Sequence, residues 1–324
     1  LGMLGSAASS ALVTLFQLFH LFMTQPGVVR VALDQSVDDV IPFAADPSIE
    51  PGYAEFKTLL EARYDDPAFL LPTVESLNSV TVDDVERVFR DTFRDASDFA
   101  FAISGDLDPD EVTELARRYL ATLPSTGRAE VVDYVEPPPP AGIVAEQTNA
   151  GEGERASVSF LFTAPASPDR RDDVAALVVQ EVVTNRLTDT IREELGDSYS
   201  PFAVVNVGDG ASPFAETYIS NTTGAGLVVE VERAVLAQLA DLRDVGPSQA
   251  ELDAALETVR QSLELFSNQQ INDEVLDVLT DPAGNPDFDA FLDQAFLVDD
   301  LDVTSYLRSW LPADRYILVT VLPR

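Results

Sequence analysis

Four consecutive prolines, Pro137–Pro140, impose the strictest local constraint in the sequence. Each fixes φ and lacks a backbone N–H, so the run is extended and cannot enter a helix interior or a central strand. It closes a stretch beginning at Pro124 whose character differs from its flanks. Residues 131–140 therefore read as a linker between a first domain, 1–130, and a second, 141–324. The length agrees: 324 residues are too many for one ordinary core and suit two, at roughly 150 residues each.

Charge excludes several functions. Fifty-six acidic residues against twenty basic ones give a net charge of −36, and Lys57 is the sole lysine. Such a surface repels phosphate backbones, so no nucleic acid is expected as a partner. Its self-repulsion weakens a fold at low salt, where the Debye length is long. The acidic residues are spread along the chain and do not cluster, which fits a salt-adapted, halophilic surface better than a patch for cationic peptides. There is no cysteine, which removes disulfides and thiolate chemistry, and His20 is the only histidine. A zinc site built mainly from imidazole cannot be assembled from these residues. The apolar run Ala11–Met23 has no basic segment before it and is short for a membrane span. It reads as a buried core helix, and with Leu1 in first place the chain reads as a piece of a longer parent.

Helix punctuation is clear in places. Residues 9–24 are apolar nearly all round, which predicts a buried helix. Pro42 and Pro47 limit the next helix to Asp34 through about Ile41, and Pro51 opens another to about Tyr64. Thr81 and Asp84 form a capping-box pattern before a helix with Val85, Val88 and Phe89 on one face. Phe99–Ile103 reads as a short strand, followed by an Asp108-Pro109 helix start with Val112, Leu115, Ala116 and Tyr119 inward. In the second half, strands are predicted at Ala156–Thr163, Ser200–Val207, Phe214–Ser220 and Tyr316–Leu322. Helices are predicted at Asp169–Leu195, Leu227–Leu242, Ser248–Asn268, Asn272–Leu279 and Val303–Trp310. Strands in runs with helices to one side define an α+β fold.

Catalytic constellations are scarce. His20, between Phe19 and Leu21, reads as a satisfied core histidine, and triad chemistry lacks partners. Gly224-Ala-Gly226 precedes a helix without a following lysine and reads as a plain turn. One segment is richer: Arg192-Glu-Glu-Leu-Gly-Asp-Ser-Tyr199 ends a long helix and turns into a strand. A guanidinium and a phenol there can donate hydrogen bonds to the backbone of an extended peptide. Equally, Arg192 can pair with a helix carboxylate such as Asp189 while Tyr199 packs.

Ile191–Pro201, IREELGDSYSP, resembles the C-terminal-half motif of the insulinase/pitrilysin family of inverted zinc metallopeptidases. Leu15–Pro26 resembles the helix before that family's T-x-P-R turn, although Gly27-Val-Val intervenes before Arg30. Phe93–Phe99 with Ser104–Asp108, and Arg118–Pro124, match further family segments in order and spacing. The resemblance implies two insulinase-like α+β domains, each an antiparallel-rich sheet with helices on one side, the first truncated. It implies a non-catalytic C-terminal portion, because no H-x-x-E-H occurs. Zinc is then expected in a catalytic half, in cis or on a separate subunit, and not in this chain. Arg192 and Tyr199 are the implied substrate-binding residues, the implied substrate an extended peptide, and the implied setting periplasmic or otherwise extracytoplasmic. A degenerate binding or scaffold protein is the reading from another class.

Overall fold

The computed structural model describes residues 3–93, 95–97, 99–127, 136–166, 170–195, 201–208, 214–264, 267–280 and 300–324. In chain order the helices are α1 (Leu12–Thr24), α2 (Arg30–Ala45), α3 (Pro51–Arg63), α4 (Val74–Ser79), α5 (Val82–Phe93) and α6 (Pro109–Leu115). They continue with α7 (Arg170–Leu195), α8 (Val228–Asp244), α9 (Gln249–Glu264), α10 (Asn268–Thr280) and α11 (Asp300–Trp310). The strands are β1 (Ile143–Asn149), β2 (Arg155–Pro165), β3 (Phe202–Val207), β4 (Phe214–Gly224) and β5 (Tyr316–Leu322). The chain forms two compact units that are discontinuous in sequence: 1–41, 74–132 and 266–288 make the first, and 42–73, 133–265 and 289–324 the second.

The first unit is helical among the described residues. The capping box before α5 forms as a reciprocal pair, with Asp84 N–H on Thr81 Oγ1 at 3.2 Å and Thr81 N–H on Asp84 Oδ2 at 3.1 Å. Asp108 caps α6 by accepting from Asp110 N–H, with Pro109 in the first helical turn. Leu12 and Phe16 of α1 pack on Leu115, flanked by Val112, Ala116 and Tyr119. Two expectations change here. Helix α1 is not buried all round: Leu18, Leu21 and Phe22 are 60%, 49% and 51% exposed, because only the opposite face meets α6 and the π-turn Ala116–Leu120. Phe99–Ile103 joins no ladder, since the first unit offers it no second strand among the described residues.

Helix α2 also outruns its predicted end, carrying Pro42 inside it. The proline lies near the C-terminal end, so the missing N–H costs one ladder bond, and Asp46 N–H closes on Pro42 O at 3.0 Å.

The second unit is an open five-stranded sheet in the order β1-β5-β2-β4-β3. Three of its four pairings are antiparallel and β1–β5 is parallel. Strand β2 is central and runs apolar, so it is buried on both faces. Val158, Phe160 and Phe162 line the face covered by helices α7, α8 and α11, which bury Val178, Val182, Val235, Leu239, Leu307 and Trp310. Residues Ser157, Ser159 and Leu161 line the other face. There α3 lays Ala54 and Leu59 against Leu161, Ile317, Val319 and Val321. The fold is α+β.

Candidate functional site

The long helix α7 and the edge strand β3 frame the segment that carries Arg192 and Tyr199. Valines 174, 178 and 182 with Leu187 and Ile191 give α7 one fully buried stripe, which anchors the helix along its length. After the turn, β3 comes back beside it. Ala203 N–H donates to Thr184 Oγ1 at 3.0 Å, and Val205 N–H to Gln180 Oε1 at 3.4 Å. The outer edge of β3 is thus capped by helix side chains, a common defence of sheet edges. At those two positions it has no free N–H to offer an incoming strand.

Arg192 follows buried Ile191 in the last turn of α7. Its backbone lies eight residues past Thr184, roughly 12 Å along the helix at 1.5 Å per residue. The Arg192 side chain, all of Tyr199 and the predicted helix-ending Gly196 lie outside the described residues. A neighbouring arginine is already committed: Arg186 reaches both Glu251 carboxylate oxygens and Asp241, tying α7 to α8 and α9. That guanidinium, together with Ser248, holds the Glu251 carboxyl down to about 2.

Two polar clusters on α3 were not anticipated. Glu55 and Arg63 are two turns apart, so they share the helix face that meets the sheet. The Glu55 carboxylate accepts from Ser157, from Ser159 at 2.6 Å and from Tyr218. Burial, then the Glu55 charge, pushes the Tyr218 phenol up to about 12, which keeps it a donor. Arg63, its side chain 1% exposed, donates to Glu136 at 2.6 Å, to Glu216 at 3.0 Å and to Pro137 O at 3.1 Å. Its guanidinium stacks 4.5 Å from the Tyr64 ring centre. Both side chains are saturated by these bonds, so they fix α3 and the start of the proline run and have nothing left for a reaction. Their partners lie 72 to 163 positions away, beyond the reach of any local motif.

His20 is satisfied as expected, its Nδ1–H donating to Tyr119 O at 2.7 Å. Zinc does not fit: there is one histidine and no cysteine, and no cluster of three His, Asp or Glu side chains among the described residues is placed to hold an ion. Gly224-Ala-Gly226 forms a plain 3₁₀ turn into α8. No helix among the described residues is long and apolar enough to cross a membrane.

The profile of the peptidase M16 inactive domain matches residues 79–259, more than half of the chain and the whole α7–β3 segment. The chain belongs to the peptidase M16 family. It is a non-catalytic M16 domain region, in agreement with the insulinase/pitrilysin resemblance. Solved structures share the fold at low identity. The M16 inactive domain from Pseudomonas fluorescens superposes with a TM-score of 0.78 at 18% identity, over 98% of this chain and 76% of that one. The periplasmic protease PqqL from Escherichia coli gives 0.80 at 18%, over 98% and 36%. The ferredoxin protease FusC, solved in complex with Arabidopsis ferredoxin, gives 0.71 at 16%, over 98% and 35%. The M16 chain therefore spans about a third of the length of the latter two. No curated protein matches its sequence.

Proposed function

We propose that this M16 region is the substrate-holding, non-catalytic part of a zinc metalloendopeptidase that hydrolyses peptides. In this reading Arg192 and Tyr199 donate hydrogen bonds to the backbone of an extended peptide, and zinc resides in a catalytic half on the same polypeptide or on a partner subunit. The match of the M16 inactive domain across residues 79–259, which contain both donors, carries the proposal. The capped edge of β3 supports it further. With the N–H groups of Ala203 and Val205 taken by Thr184 and Gln180, a peptide beside them has to be held by side chains. FusC, in complex with a protein substrate, shows a fold of this kind within a working protease. The test is peptide turnover by the assembled peptidase carrying Arg192→Ala and Tyr199→Phe together. Reduced turnover supports the assignment, and unchanged turnover removes it.

A further inference from the structure

Phe99-Ala-Phe-Ala-Ile103 has the composition of a central strand, comparable to the buried Phe160-Leu-Phe162 of β2. Its odd positions face helices: Phe101 meets Phe19 of α1 edge to face at 5.6 Å, and Phe99 meets Phe93 of α5 at 6.3 Å. Yet the backbone groups of Ala100, Phe101, Ala102 and Ile103 form no hydrogen bond, although all but Ile103 are half-buried. Backbone polar groups withdrawn from water are nearly always paired, so four consecutive unpaired residues point to a missing strand. Beside them runs an open apolar groove lined by Phe101, Ile103, Val112, Ala116 and Leu120.

We infer that an extended strand from peptidase polypeptide outside these 324 residues pairs with Ala100–Ile103 and lays apolar side chains into this groove. The inference rests on the reading of the chain as one part of a larger peptidase. Backbone pairing beside an apolar groove selects a β-strand with alternating apolar residues. The source follows from two observations. Relatives that match 98% of this chain carry it as only 35–36% of their own length in FusC and PqqL, so further polypeptide accompanies this fold there. A second copy is opposed by the mutual repulsion of two chains at −36 each.

Amide hydrogen exchange tests the inference, comparing these 324 residues expressed alone with the native peptidase purified with all its polypeptide. The amides of Ala100–Ile103 are expected to exchange nearly as in an unstructured peptide in the first and at least 100-fold more slowly in the second. Ile103→Asp, at the groove's exposed rim, is expected to abolish that protection while the α6 amides keep theirs. Val31→Asp, on exposed α2, leaves both unchanged. Slow exchange in the 324 residues alone, or fast exchange in both forms, overturns the inference. So does protection conferred only by an added unstructured peptide, which makes the occupant substrate. If these amides stay unprotected while the Arg192→Ala/Tyr199→Phe variant loses turnover, the inference fails and the substrate-holding function stands. A native protein that contains no further peptidase polypeptide refutes both.

Discussion

Replacing Arg63 by alanine probes how the second unit is held together. The guanidinium neutralises Glu136, itself 9% exposed, and Glu216, and it also donates to Pro137 O. Without it the two carboxylates lie close together with no cation between them. Breaking a buried pair by removing one partner costs about 3–5 kcal/mol, against total domain stabilities of about 5–15 kcal/mol. The single tryptophan, Trp310, is buried in the same unit and reports its unfolding by fluorescence. At a urea m-value of ~2–3 kcal/mol/M for a unit of this size, the midpoint should fall by about 1–2 M. Salt discriminates the cause. Raising NaCl from 0.1 to 2 M should stabilise wild type and variant alike by screening the −36 charge, whereas their difference should persist, because a buried pair is poorly screened. A loss below about 1 kcal/mol, or a difference that vanishes in high salt, places Arg63 with ordinary surface ion pairs and refutes the reasoning.

Gly246, at φ +88° between α8 and α9, has a place for a Cβ only 2.6 Å from Thr304 Oγ1. Gly246→Ala should cost ~1–3 kcal/mol in thermal or urea unfolding, and adding Thr304→Ala should recover the steric share and leave the backbone strain. The Glu251 carboxyl is depressed from 4.5 to about 2, so its contribution is complete above pH 4.5 and is lost as pH falls through about 2. The stability difference between wild type and Glu251→Gln should therefore shrink between pH 4.5 and 2. A constant difference across that window contradicts the Arg186–Glu251 account.

Elements governed by neighbouring residues were legible in the sequence. Thr81 with Asp84 and Asp108 with Pro109 announce their helices, and β5 occupies its predicted span, Tyr316–Leu322, because six of its seven residues are buried. Strand β1 escaped detection: Ile143–Asn149 is a largely exposed edge strand without alternation, paired in parallel with a segment more than 160 residues later. The same distance hides Arg63 from Glu216 and Glu55 from Tyr218. Phe99–Ile103 was read from composition, but a strand needs a partner as well as β-formers. Residues Arg192 and Tyr199 were legible as a pair only through the family resemblance, because hydrogen-bonding capacity alone does not distinguish peptide capture from an intrahelical ion pair.

The most direct test of the central claim is kcat/KM of the complete peptidase on an unstructured peptide, wild type against Arg192→Ala/Tyr199→Phe, with zinc content measured on both. Loss of one hydrogen bond to a charged donor, about 1.5–3 kcal/mol, corresponds to about a 10- to 150-fold fall in kcat/KM at unchanged zinc content. Equal kcat/KM in the two enzymes contradicts a substrate-holding role for this M16 domain region.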